Sequence, residues 1–274
     1  MARVALFIPC FVDQLSPEIG LDTVEVLRRA GYECDYPREQ TCCGQPAFNT
    51  GYWKDARPLA ERFVRIFRAY ELVVSPSGSC TTMVRNFYPE LLAGTPVHED
   101  AVALGQRVFE LSEFLVKVAR RTDLGACFPH RVAFHDACHS LRELHLKHEP
   151  RELLRHVQGL ELVEMPYSED CCGFGGTFAV KFHMISAAMG DAKAGNAEAA
   201  GAEFLVSTDP SCLMHIEGIL RRRNSPVKTI HLASVLASVG TGLAPSSRDF
   251  NDLHNKSEDP GRGKPRPYTG GNAS

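Results

Sequence analysis

The sequence predicts an α/β protein made of two duplicated halves, each a mostly parallel sheet covered by helices, with cysteine-bearing loops at the carboxyl ends of the strands. Three observations lead there. A series of cysteines occurs twice at similar spacing, the segments around those cysteines recur with it, and short β-rich runs alternate with stretches of helical periodicity.

The cysteines come first because they are abundant and ordered. The chain has ten in 274 residues. Cys10 is followed after 31 residues by Cys42-Cys43-Gly44 and after 36 more by Cys80. Cys138 is followed after 32 residues by Cys171-Cys172-Gly173 and after 39 more by Cys212. The flanks repeat as well: Val4-Ala5-Leu6-Phe7-Ile8-Pro9-Cys10 is answered by Val132-Ala133-Phe134-His135-Asp136-Ala137-Cys138, and Val73 to Cys80 by Leu205 to Cys212. A period of about 130 residues is that of a doubled domain, not of a solenoid. The expected division is a first cysteine-rich domain over 1–125, a second over 126–245, and a disordered tail over 246–274, where the composition turns to Ser, Asn, Gly, Pro and charge. Docking of a partner is the alternative role for that tail.

The strands are expected near 3–9, 32–36, 72–75, 131–135, 161–165 and 203–207, where short apolar, β-rich runs lie. Between them, Leu59, Phe63, Ile66, Phe67 and Tyr70 share one face of a helix, and Val108, Leu111, Leu115 and Val118 are expected to form a second such face. Strand and helix in alternation give two Rossmann-like halves. Every cysteine of the two series then falls just beyond a strand, and in open parallel sheets ligands gather at the carboxyl ends of strands. Two sites of four cysteines are expected: Cys10, Cys42, Cys43 and Cys80, and Cys138, Cys171, Cys172 and Cys212.

Composition narrows the function classes. With 30 basic and 33 acidic side chains the formal net charge is -3, which argues against nucleic acid as the main partner. The most apolar opening stretch, residues 4–12, is interrupted by Pro9 and closed by Asp13, too short for a membrane span. A cytoplasmic protein is expected, and in a reducing compartment ten cysteines point to metal or redox chemistry more than to disulfides. Four thiolates suit zinc or an iron–sulfur cluster, because soft sulfur selects those metals over magnesium or calcium. Structural zinc usually uses C-x-x-C pairs, which this chain lacks. Adjacent cysteines in extended chain point to opposite sides, which suits a polynuclear cluster better than a single ion. Gly44 and Gly173 let the backbone turn close to the site, and Phe174-Gly175-Gly176 adds N–H groups that could bond sulfur. That glycine-rich run lacks the spacing of a phosphate or dinucleotide loop.

Four motifs carry a family resemblance. They are Pro76-Ser77-Gly78-Ser79-Cys80, His135-Asp136-Ala137-Cys138-His139, Cys171-Cys172-Gly173-Phe174-Gly175-Gly176-Thr177-Phe178 and Asp209-Pro210-Ser211-Cys212-Leu213-Met214-His215. The chain resembles, over roughly residues 3–240, the CCG cysteine-rich domains of heterodisulfide reductase and of the iron–sulfur subunits of glycolate oxidase and anaerobic glycerol-3-phosphate dehydrogenase. It resembles the stand-alone, two-domain lactate utilisation protein A family in particular. The resemblance implies a cytoplasmic iron–sulfur component of a three-protein system that oxidises L-lactate to pyruvate, with a ferredoxin-containing protein and a third subunit as partners. Where heterodisulfide reductase has a fifth cysteine per motif, this chain has Ser77 and Asp209. The implied group is therefore a [4Fe–4S]-type cluster in each half, with Asp209 as a candidate oxygen ligand and zinc as the alternative metal in one half. A thiol–disulfide oxidoreductase using Cys42-Cys43 or Cys171-Cys172, and a zinc-stabilised scaffold, are the competing functions. No flavin fingerprint is present to remove hydride from lactate.

Outside the two series, Cys34 and Cys127 are expected to pack as ordinary buried residues. His135, His139, His183 and His215 flank the motifs and are expected to be satisfied by ordinary hydrogen bonds. Arg221, Arg222 and Arg223 read as a solvated helix end.

Overall fold

Eight short strands make two sheets, each all-parallel, in a computed structural model of the chain that describes residues 2–239. The first holds β1 (Ala2–Leu6), β2 (Tyr32–Asp35), β3 (Val73–Ser75) and β4 (Val108–Glu110) in the order β2-β1-β3-β4. The second holds β5 (Arg131–Phe134), β6 (Glu161–Val163), β7 (Phe204–Ser207) and β8 (Lys228–His231) in the order β6-β5-β7-β8. The registers repeat too: Val4 faces Cys34 and Leu6 faces Val74 in one half, as Val132 faces Leu162 and Phe134 faces Val206 in the other. The α/β duplication expected from the sequence is thus the observed fold. The tail expected over 246–274 lies outside the described residues. Among those described, no helix is long and apolar enough to cross a membrane.

Two strands differ from expectation. Val108 belongs to β4 and not to a helical face, and β8 has no counterpart among the expected runs. Both are short. Val108-Phe109-Glu110 passes directly into the helix Leu111–Glu113, so the spacing of Val108 to Leu111 and Leu115 imitates a helical stripe. In β8, Lys228-Thr229-Ile230-His231 is an edge strand with little apolar content to announce it.

The helix Trp53–Phe67 shows why each sheet face is covered. Its apolar positions recur at helical spacing, and Ala56, Ala60, Phe63, Val64 and Phe67 are buried against the first sheet. Phe63 meets Phe7, just beyond β1, edge-on at 4.7 Å and Phe67 at 4.4 Å, an aromatic core under the first cysteine series. The halves also press on each other. The helix Gly78–Thr82 packs on Cys138–Arg142, Cys10–Leu15 on Pro210–Arg222, and Pro17–Arg29 on Leu232–Ala237. Gly78 has no room for a side chain, since a Cβ there would fall 1.7 Å from Ser140 Oγ. The backbone of one half therefore lies directly against the other at the level of the cysteines.

Glu110 closes β4 as a buried N-cap. Its Oε2 accepts hydrogen bonds from Ser112 N at 2.8 Å and Glu113 N at 3.3 Å, while Oε1 has no partner among the described residues. Burial pushes the carboxyl pKa from 4.5 up to about 7, against the lowering effect of those hydrogen bonds. Since the folded pKa is the higher one, the folded state holds a proton that the unfolded chain has lost between those values. Stability is therefore full below pH 4.5 and falls as pH rises through about 7, by on the order of 3 kcal/mol. Glu110→Gln keeps an acceptor for the cap and is expected to flatten this slope in denaturant unfolding compared at pH 5 and pH 8; an unchanged slope would remove Glu110 as its source.

Candidate metal centres

In each half the strand order reverses between the first strand and the third, the place at the carboxyl ends where open parallel sheets form a crevice. Cys10 follows β1 and Cys80 follows β3, so they flank that crevice, and Cys42-Cys43 reaches it from the loop after β2. Cys138, Cys212 and Cys171-Cys172 repeat the arrangement on β5, β7 and β6. The reason that residues distant in sequence meet is this topology.

Local contacts then fix the loops. In the first half, Gln40 accepts from Ile8 N at 2.8 Å and donates to Leu6 O at 3.1 Å, which ties the CCG loop to the end of β1. Gln45 donates to Ser79 O at 3.0 Å, and the fully buried Tyr88 donates to Cys43 O at 2.9 Å. Gly44 adopts φ 83°, a left-handed conformation that a side chain would strain. Gly173 does the same at φ 91°, and a Cβ there would lie 2.6 Å from Ser186 O. Cys10 and Cys138 each open a short helix, and Cys80 sits in the helix Gly78–Thr82, whose cap Ser77 accepts from Cys80 N at 3.4 Å.

The sulfurs converge. Cys43 Sγ donates to Cys80 Sγ at 3.5 Å, and Cys10 lies within hydrogen-bonding reach of Cys42. In the second half Cys138 reaches Cys171, and Cys172 reaches Cys212. Backbone donors point inward: Gly44 N to Cys42 Sγ at 3.3 Å, Gly173 N to Cys171 Sγ at 3.4 Å, and Phe174 N to Cys172 Sγ at 3.5 Å. In each quartet two cysteines are buried, Cys43 with Cys80 and Cys172 with Cys212, and two are half-buried at the mouth. All ten cysteines are free thiols.

In each CCG pair the first sulfur is the one favoured as a thiolate. Hydrogen bonds from Cys10 and Cys43 pull the Cys42 pKa down to about 3, and those from Cys138 and Cys172 pull Cys171 to about 2. Donation to those thiolates, with burial, raises Cys10, Cys43, Cys138 and Cys172. Soft, close-set sulfurs that compete for one negative charge form a ready site for a thiophilic metal.

The remaining candidates divide. Asp209 caps the helix Pro210–Arg222 by accepting from Ser211 N at 3.2 Å, and its other oxygen accepts from Ser79 N at 3.0 Å in the first half. Its carboxylate therefore joins the Cys212 helix to the Cys80 helix. Cys34 lies in β2 and Cys127 bridges to Gln158, both apart from the quartets. Arg223 pairs with Asp191 and Glu198 at a helix end, as a solvated cluster. His139 lies 3.7 Å from Cys138 Sγ, and His215 contacts Ser186 O at 3.3 Å. His135 departs from the expectation of a satisfied histidine. It is fully buried, neither ring nitrogen has a hydrogen-bond partner among the described residues, and a ring nitrogen lies within 4.8 Å of the Cys172 and Cys212 sulfurs.

The duplicated segments match the CCG family of cysteine-rich domains at residues 4–85 and 132–217. The chain is 45% identical over 236 residues to lactate utilization protein A 2 of Bacillus cereus, covering 86% of this chain and 98% of that one. The chain belongs to the lactate utilization protein A family. A member from Geobacillus thermodenitrificans is likewise 45% identical over 235 residues, covering 85% of this chain and 98% of its own length. Among solved structures, a hypothetical protein from Helicobacter pylori shares the fold with a TM-score of 0.58 at 12% identity, and the match covers 93% of this chain and about half, 51%, of that one. Membership of a cysteine-rich family and the clustered thiols together suggest metal binding.

Proposed function

We propose that the chain is the iron–sulfur electron-transfer component of a system that oxidises L-lactate to pyruvate. The observation that carries this reading is the pair of converged four-thiol sites in a member of the lactate utilization protein A family. The donor set fits the group: four soft thiols per half, backbone N–H groups aimed at sulfur, and an orphaned buried imidazole beside the second set. Cys10, Cys42, Cys43 and Cys80 would hold one [4Fe–4S]-type centre, and Cys138, Cys171, Cys172 and Cys212 another, within domains spanning residues 1–125 and 126–245. Such centres supply one-electron exchange.

The chain's own residues do the holding and shielding. Cys42 and Cys171 provide a thiolate at neutral pH, Gly44 N and Gly173 N hold it in place, and the buried cysteines keep water from the inner side. Asp209 is engaged at the joint between the halves. Oxidation of lactate releases two electrons and needs a group able to take hydride, which this chain's sequence does not offer. That step belongs to the partners, a ferredoxin-containing iron–sulfur protein and a third subunit, in the cytoplasm. A thiolate beside a second cysteine at Cys42-Cys43 also suits thiol–disulfide exchange, and zinc in one half is the alternative occupant.

Deleting the gene from its own host is expected to abolish growth on L-lactate while leaving growth on glucose unchanged. Restoration by the intact chain but not by one carrying Cys42→Ser and Cys171→Ser completes the expected result; undiminished growth on lactate in the deletion strain would overturn the proposal.

A further inference from the structure

The two halves are not electrostatic copies of each other. The repeat that sets Cys10 against Cys138 sets Phe7 against His135. The helices behind the CCG loops correspond in the same way: Gly44 abuts Ala56 and Leu59, Gly173 abuts Ser186 and Met189, and the same offset sets Phe63 against Lys193. Beneath the first quartet, Phe7 and Phe63 meet edge-on at 4.7 Å, and Phe63 meets the buried Tyr88 at 5.6 Å. That floor is aromatic and uncharged. Beneath the second quartet stand His135, with both ring nitrogens unpartnered, and Lys193, only 1% exposed. Lys193 donates to Ser168 O at 3.1 Å and to Tyr167 O, and its charge acts on Cys171, Cys172 and His135.

Packing does not explain the imidazole, and the two loop carbonyls that hold Lys193 do not balance its charge. An imidazole buried without a hydrogen bond is destabilising, and a buried ammonium is disfavoured unless negative charge lies near it. Here that charge comes from Asp170 first and then from Cys172, Asp136 and Cys171, so the sulfur quartet supplies part of it. Hydrogen bonds to sulfur and compensating positive charge both favour the reduced, more negative form of an iron–sulfur centre.

We propose that His135 and Lys193 make the second half the electron-accepting half of the pair, His135 by donating a ring N–H toward the Cys172 and Cys212 sulfurs and Lys193 by offsetting added negative charge. Phe7 and Phe63 offer the first half neither. One electron added to the chain therefore rests in the second half, with no bond made and no proton taken up. This inference rests on the reading that both halves hold iron–sulfur centres.

The test is a potentiometric titration with dithionite, followed by electron paramagnetic resonance, on anaerobically reconstituted protein. Cys42→Ser and Cys171→Ser, each disabling one half, assign the waves. The expected result is two waves, the higher-potential one missing from Cys171→Ser, with His135→Phe and Lys193→Met moving that wave to lower potential and leaving the other in place. Lys193 also anchors two loop carbonyls, so His135→Phe, which installs the residue of the first half, carries the test if Lys193→Met does not fold. Two iron centres at one shared potential, a higher wave that survives Cys171→Ser, or an unmoved wave in His135→Phe would overturn the inference alone. A protein that takes up no iron would overturn the underlying reading with it.

Discussion

Replacing Cys171 by Ser is expected to remove the metal of the second half and leave that of the first. Cys171 is the charged sulfur of its quartet, held by hydrogen bonds from Cys138 and Cys172 and from Gly173 N at 3.4 Å. A serine hydroxyl is a hard, neutral oxygen, and it cannot replace a thiolate toward a soft metal. The first quartet shares none of these ligands: its sulfurs are set by β1, β2 and β3, and its CCG loop by Gln40, Gln45 and Tyr88. Iron per chain and visible absorbance should each fall by about half, from roughly eight irons to four. The matching loss in Cys42→Ser would complete the symmetry. Loss of all iron from either single change would mean that the two series build one shared site.

Arg151→Ala is expected to destabilise the chain by about 3–5 kcal/mol, far more than the loss of any surface ion pair. Arg151 grips Asp136 with two hydrogen bonds of 2.7 and 2.8 Å, also bonds Glu164 at 2.8 Å, and lies over the Phe134 ring at 5.2 Å. The Asp136 side chain is fully buried, and Arg151 is 6% exposed. Removing the guanidinium strands a buried carboxylate in the core, between His135 and the Cys138 helix. By contrast, Arg28 and Glu25 pair on an open helix face with Arg28 67% exposed, where solvent screens the pair and its loss is felt little. Denaturant unfolding of the metal-free protein reads the difference. An Arg151→Ala cost no larger than that of Arg28→Ala would show that the Asp136 pair is not the internal brace of the second half.

Much of this architecture is legible in the sequence because its signals are local. The runs at β1, β3, β5 and β7 are β-branched and apolar, their cysteines follow at once, and the duplication confirms each reading by its copy. The edge strands β4 and β8 are different. Three or four residues long, they are selected by pairing with β3 and β7, and Val108 could be read into a helix because nothing local separates it from Leu111. Asp209 shows a signal present but read toward another role: Asp before Pro210 is a helix-capping pattern, and the structure uses it as one. His135 and Lys193 carry no local mark of burial. They stand out only when the repeats are laid over each other and the second half is seen to place polar groups where the first has Phe7 and Phe63.

Whether each half holds an iron–sulfur centre through its own four thiolates is tested most directly by metal content. Iron, acid-labile sulfide and zinc are to be counted per chain on anaerobically purified and reconstituted protein, with the absorbance spectrum before and after dithionite. Two such centres predict roughly eight irons with matching sulfide and a brown colour that dithionite bleaches. Little iron after reconstitution, with stoichiometric zinc or ten titratable thiols in its place, would contradict them.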